Sequence, residues 1–317
     1  MVASHPMIVL RNLYRYFGST KAVNGISFEV PRGQVFGYIG PNGAGKTTSM
    51  RILSTLDLPT AGDAFVDGFS VVDDPDRVRR RLGFMPDYFG TYANVNVREY
   101  LDFFARAYGL RGGERQGALR RVMGFTGLDV LAAKPINGLS KGMKQRLCLG
   151  RAIIHDPAVL ILDEPAAGLD PRARIQLREM IRALADEGKS ILVSSHILGE
   201  LAEMCDLVGI VELGQLLAVG SVAEIHRQQQ RHTAVQLQIG VLDDPNTAAN
   251  WLAARPDVRD VVVKNGAVLC LLEDHELVPR AALLAGLVQT GVRVVSFGVL
   301  TRSLEDVFMQ VTEGRVQ

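Results

Sequence analysis

The sequence predicts an α/β protein with a parallel sheet over its first two thirds, followed by a smaller α+β sandwich. Three observations predict this. Apolar strands alternate with helices as far as about Gly220, and such β–α–β alternation implies parallel pairing. The composition then turns abruptly polar over Ile225–Thr233 (IHRQQQRHT), as a linker does. Beyond it the strand and helix signals restart in the order βαββαβ. At 317 residues the chain is long enough for two such cores.

Met7–Val30 reads as two strands rich in β-branched and aromatic residues, broken by Phe17-Gly18-Ser19-Thr20. Gln34–Gly40 (QVFGYIG) is a short apolar strand running into a glycine-rich loop. That loop opens a helix over Thr47–Leu56, which Pro59-Thr60-Ala61-Gly62 stops. Arg79–Gly127 is mostly helical by pattern, and EYLDFFARAYGL is its strongest amphipathic stretch. Ala158–Asp163 and Ser190–Ser195 are apolar throughout, as central parallel strands covered on both faces must be. An arginine- and leucine-rich helix lies between them.

After the linker come a strand (AVQLQI), a helix (NTAANWLAA) and a strand pair around Asn265-Gly266, the strongest short hairpin signal. A helix (VPRAALLAGLV), a strand (RVVSFGV) and a helix (LEDVFMQVT) complete the order. This fits a ferredoxin-like sandwich.

Composition excludes several functions. Lysine plus arginine number 35 against 34 acidic residues, so a bulk positive grip on nucleic acid is not expected. Cys148, Cys205 and Cys270 lack C-x-x-C spacing, which argues against disulfides or a cysteine zinc site and for a reducing compartment. The best apolar run, Ala281–Val288, is far short of the ~18–20 residues of a membrane span. The N-terminus lacks the pattern of a signal peptide. A cytosolic protein with no membrane span of its own is expected.

Gly40-Pro41-Asn42-Gly43-Ala44-Gly45-Lys46-Thr47, followed by Thr48, matches G-x-x-x-x-G-K-[ST] between a strand and a helix. Glycines let the backbone curl so that N–H groups converge on phosphate oxygens, and the helix dipole adds positive potential. Lys46 then reaches the β- and γ-phosphates and Thr47 holds Mg²⁺. A nucleoside triphosphate site follows. The strand ending at Leu162 delivers Asp163 towards that Mg²⁺, and Glu164 can orient or deprotonate an attacking water.

In its order of motifs the chain resembles the nucleotide-binding subunits of ATP-binding cassette (ABC) transporters. LSKGMKQR (Leu139–Arg146) is similar to the family signature, ILDEPAAGLD (Ile161–Asp170) to its Walker B strand and D-loop, and Ser194–His196 to its switch histidine segment. The resemblance implies ATP and Mg²⁺ as cofactors and a head-to-tail dimer with a second copy. Ser140 and Gly142 of one copy would close on the γ-phosphate held by the other, His196 would contact that phosphate, and Asp170 would mark the D-loop between subunits. Phe17 is the expected base-stacking aromatic, with Tyr16 and Tyr14 as alternatives. Lys141 and Met143 replace the usual signature glycine and glutamine. In Gly83-Phe84-Met85-Pro86-Asp87, Asp87 stands where the family carries glutamine, and remains a hard oxygen ligand for Mg²⁺.

The resemblance implies domains at 7–225 (cassette, helical subdomain about 88–155), 226–233 (linker) and 234–317. It also implies a separate multi-span permease, docked near Asp87 and Asn94–Leu110; Tyr88, Phe89 and Tyr92 there read either as an aromatic surface for a helix of that partner or as packing within the helical subdomain. The protein would lie peripherally on the inner face of the cell membrane. LEDVFMQVTEG after a βαββαβ domain resembles exporters of the drug-resistance and polysaccharide type. For that domain, dimer stabilisation or regulation is expected, and His275 with its acidic neighbours reads as a polar turn. The rival reading is a soluble ABC-type ATPase with a ligand-sensing role.

Overall fold

A computed structural model describes residues 5–88, 90, 94–196, 204–221, 224–225, 235–272 and 277–299. The linker at 226–233, Phe89, Tyr92, His275 and the final helix at 304–312 lie outside the described residues. The chain divides after Val222 into two compact units.

The first unit carries two sheets. Strands β1 (Ile8–Phe17) and β2 (Thr20–Val30) pair antiparallel around the expected turn. Strand β1 also pairs with β4 (Ala61–Val66), which is followed by the two-residue β5 (Phe69–Ser70). Val23, Ile26 and Val30 of β2 and Ile8, Leu10 and Leu13 of β1 are fully or almost fully buried. Their sheet shares one core with the second: Phe28 stacks on Phe36 with ring centroids 4.6 Å apart.

The second sheet has the order β10-β9-β3-β8-β7-β6. Its members are β3 (Val35–Ile39), β6 (Leu82–Met85), β7 (Val159–Leu162), β8 (Ser190–Ser195), β9 (Leu207–Glu212) and β10 (Gln215–Gly220). All but the β9–β10 hairpin run parallel. Every residue of β3, β7 and β8 is buried, in line with their unbroken apolar character. Ile39 pairs with Ser195 and Leu162 with Val193, so the loops leaving β3, β7 and β8 emerge together at the carboxyl edge. Ligands of open α/β sheets bind at that edge.

Helices α1 (Lys46–Leu53), α2 (Pro75–Arg81), α3 (Val97–Ala107), α4 (Gly112–Thr126), α5 (Lys141–Ile153) and α6 (Pro171–Asp186) complete the unit. Asn96 and Glu99 form a reciprocal capping box that starts α3. Ser140 caps α5 and Asp170 caps α6, each side chain accepting from a first-turn N–H.

Two expectations need correction. Gly83–Met85 is not part of a loop or of the helical stretch at Arg79–Gly127 but an edge strand, because its backbone pairs with β7. A Cβ at Gly83 would fall on the Ala152 carbonyl oxygen, so this close approach requires glycine. Helix α1 ends at Leu53, before Leu56, and the Ala61-Gly62 that was expected to stop it opens β4.

The second unit is built from β11 (Val235–Val241), α7 (Pro245–Ala253), β12 (Val258–Lys264), β13 (Ala267–Leu272), α8 (Leu277–Gln289) and β14 (Val294–Val299). Its antiparallel order β12-β13-β11-β14 is that of the expected ferredoxin-like sandwich. Asn265 and Gly266 both adopt positive φ (51° and 75°), as a tight hairpin turn demands. Leu237, Ile239, Val268, Leu252, Leu283 and Leu287 form a separate, fully buried core.

Candidate functional site

The loop between β3 and α1 is compressed against its neighbours at two glycines. A Cβ at Gly40 would fall on the Val211 carbonyl oxygen, and one at Gly45 on that of Ala22. Gly45 also has φ +96°, the left-handed region that side chains avoid. Gly45 is the N-cap of α1 and offers no side-chain acceptor, so the first-turn N–H groups remain available to an anion.

Lys46 is 5% exposed. Its ammonium donates to the carbonyls of Gly40 (2.6 Å) and Pro41 (3.1 Å) and lies 3.7 Å from Glu164 Oε1. Burial pushes its pKa down, and the Glu164 and Asp163 charges act against that shift.

Asp163 and Glu164 leave the end of β7 beside this loop. The Asp163 N–H donates to the Met85 carbonyl at 2.8 Å, which ties the pair to the edge strand β6. Its Oδ1 accepts from the Ser194 hydroxyl at 2.6 Å, while Oδ2 is buried without a hydrogen bond. Burial raises the Asp163 pKa; the Ser194 and Thr47 hydroxyls lower it, and the Asp87 and Glu164 charges raise it further. Glu164 adopts φ +47°, a conformation uncommon for a residue with a long side chain. The Ser194 oxygen accepts from its N–H at 2.8 Å and so holds it there. Glu164 Oε2 lies 2.7 Å from His196 Nδ1, and Oε1 is buried without a hydrogen bond.

Phe17, Thr20, Ala22, Asn42, Gly43, Ala44, Gly45, Lys46, Thr47, Thr48, Asp87 and Glu164 surround one open cleft of about 430 Å³. Gly40 and Pro41 stand behind it as acceptors for Lys46, and Asp163 and His196 touch it through Glu164 and Ser194. Phe17 is about half exposed, and the Arg15 guanidinium lies 4.4 Å from its ring centroid. A flat ring at the mouth and N–H groups and an ammonium at the base suit a base at one end and phosphates at the other. Asp163 and Thr47 supply oxygen donors of the kind a hard divalent cation takes.

Ser140, Gly142 and Asp170 line a different cleft of about 160 Å³, together with Arg146 and Arg172. The sequence-predicted residues therefore fall into two groups on one chain. Sequence reading passed over Ser194, whose hydroxyl serves both acids at once. Its signal is a hydroxyl at the end of an otherwise apolar strand, which acquires meaning only once β8 is known to lie beside β7.

A phosphate-binding loop between a parallel strand and a helix, with a strand-end Asp–Glu pair at its flank, defines a P-loop nucleoside triphosphatase. Relatives narrow this further. Residues 23–167 match the ABC transporter family, and residues 220–312 match the C-terminal domain of ATP-binding proteins of the DrrA1-3-like type. The chain is 34% identical to the Nod factor export ATP-binding protein I of Burkholderia lata, over 98% of each chain. It is 30% identical to the linearmycin resistance ATP-binding protein LnrL of Bacillus subtilis, over 96% of this chain and 98% of that one. A solved ATP-binding subunit of an ABC transporter superposes on 70% of this chain and 93% of its own, with TM-score 0.65 and 30% identity. The chain belongs to the ATP-binding proteins of ABC transporters, and is an ATP-hydrolysing subunit. Among the described residues, no helix is long and apolar enough to cross a membrane.

Proposed function

We propose that ATP binds with its triphosphate on the Gly40–Thr48 loop, its base on Phe17, and its γ-phosphate facing Glu164. The observation that carries this is the placement of the Glu164 carboxylate at the cleft, between the Lys46 ammonium at 3.7 Å and His196 at 2.7 Å. Lys46 exchanges the carbonyls of Gly40 and Pro41 for phosphate oxygens. Glu164 orients the attacking water and accepts its proton, and His196 holds the carboxylate and meets the γ-phosphate. Thr47 and Asp163, with Asp87 at the rim, would hold Mg²⁺; the unbonded, buried Oδ2 of Asp163 supports this. Mg²⁺, when bound, neutralises triphosphate charge.

The separation of the Lys46 and Ser140 clefts supports a head-to-tail pair in which each copy closes the other's site. At the N-terminus of α5 the Ser140 hydroxyl and the N–H groups of the first turn would meet the γ-phosphate of the opposite copy. Asp170, at the start of α6, would lie along that seam.

The membrane partner would be a multi-span permease that brings this subunit to the inner face of the membrane. Tyr88, 79% exposed and adjacent to Asp87 at the cleft, is suited to face it. Relatives named for Nod factor export, linearmycin resistance and bacitracin transport favour an export role, and a drug-like, lipid or polysaccharide cargo is the one proposed. The 234–317 domain would steady the dimer or regulate it.

Glu164→Gln tests the reading. It keeps the shape and removes the charge, so ATP binding should persist while turnover falls by at least about a hundredfold and closed dimer accumulates. Parental turnover in this variant would remove Glu164 from its role.

A further inference from the structure

Arg15 and Phe17 stand close together near the end of β1, and the Arg15 guanidinium lies 4.4 Å from the Phe17 ring centroid. At that distance the cation rests against the negative face of the ring. Phe17 borders the nucleotide cleft and Arg15 does not, so the guanidinium backs the ring and does not face the cleft. The ring is about half exposed, and a Cβ at the next residue, Gly18, would meet nothing within 4 Å. The turn beyond the ring is therefore open.

The guanidinium is itself held. Its Nη2 lies 2.8 Å from Asp57 Oδ1, and both side chains are mostly buried. The same Asp57 oxygen accepts from the Leu58 N–H at 2.8 Å, so backbone fixes the carboxylate. Arg15 Nε is buried without a hydrogen bond. On either side of Arg15 the strand is stitched to the same segment. The Tyr16 N–H donates to Thr60 Oγ1 at 3.0 Å and the Thr60 N–H to the Tyr14 carbonyl at 2.7 Å. Asp57 follows closely on the end of α1, where the Leu56 N–H donates to the Arg51 carbonyl at 2.8 Å. Helix α1 begins at Lys46, so the backing of Phe17 and the phosphate loop hang on one continuous segment.

We propose that Arg15 is a positioning residue for the base of ATP: held by Asp57, it fixes the Phe17 ring from behind and leaves the opposite face to the base. This rests on the placement of the base on Phe17 proposed above. A half-exposed ring without backing samples several rotamers, and ordering it when nucleotide binds costs affinity. With the cation behind it, the ring is ordered before nucleotide arrives.

Titration calorimetry of the full chain with ATP, and with inorganic tripolyphosphate, which has no base, tests the assignment. The proteins compared are the parent, Arg15→Gln, Arg15→Lys, Asp57→Asn and Phe17→Ala. Arg15→Gln should weaken ATP binding roughly three- to tenfold and bind tripolyphosphate as the parent does. Its KM for ATP should rise by the same factor, with kcat at the parental value. Arg15→Lys returns a cation to the ring and should recover much of the loss. Asp57→Asn should show a smaller loss in the same direction, and decides by the same comparison if Arg15→Gln does not fold. Parental ATP affinity in these variants beside a weakened Phe17→Ala would overturn the backing role and leave Phe17 in place. Equal weakening towards ATP and tripolyphosphate would make Arg15 a charge for the phosphates and also overturn it. Parental ATP affinity in Phe17→Ala would overturn both readings.

Discussion

Ser194→Ala removes one hydroxyl and disturbs two acids. The hydroxyl is fully buried, donates to Asp163 Oδ1 at 2.6 Å and accepts from the Glu164 N–H at 2.8 Å. Its loss strips a charge-assisted bond from one carboxylate and leaves a backbone N–H without a partner at a residue with φ +47°. Together these are worth about 2–4 kcal/mol, a fall in Tm of roughly 5–10 °C for a domain of this size. Glu164 would then be free to drift, and turnover should fall roughly ten- to a hundredfold while ATP affinity changes little. The pH profile should respond too. Burial already raises the Asp163 pKa and the Ser194 hydroxyl counteracts it, so in nucleotide-free protein the pH dependence of Tm should move to higher pH. Thermal scanning and ATPase rates across pH read all three effects. A variant with parental Tm, turnover and pH profile would refute the bridging role of Ser194.

The remaining expectations can be checked with the same preparations. Lys46→Ala should weaken ATP binding by roughly 30- to 160-fold in titration calorimetry, the worth of a buried charge-assisted contact (about 2–3 kcal/mol). Phe17→Ala should lose about 1–3 kcal/mol of base stacking, seen as weaker binding of ATP and GTP alike, with turnover at saturation near the parental rate. Asp163→Asn should abolish hydrolysis yet raise the Tm of nucleotide-free protein. The folded-state pKa of Asp163 lies above its unfolded value, so its stability contribution is present at low pH and lost as pH rises through the folded pKa. The amide carries no such penalty, and its advantage should vanish below the unfolded carboxylate range.

Local sterics made much of the site readable in advance. The Gly40–Thr47 loop needs glycine where carbonyls of Val211 and Ala22 press on it, and the strand before and helix after were plain from pattern. Strands β7 and β8 announced themselves because residues buried on both faces must be apolar throughout. Ser140 and Asp170 prove to be helix caps, each a property of three or four consecutive residues. Strand β6 was hidden, since four residues beside an arginine-rich helix become a strand only by pairing with β7 across some seventy-five positions. Strand β4 was hidden likewise, its Ala-Gly-Asp-Ala run acquiring regular structure from β1. The double role of Ser194 follows from strand order, and strand order is a long-range property that composition does not encode.

The two carbonyls that hold the Lys46 ammonium have a thermodynamic consequence. Two of the three donors of that ammonium are fixed by the fold itself, so its direction is set by backbone and a triphosphate meets a charge whose side-chain freedom has already been given up.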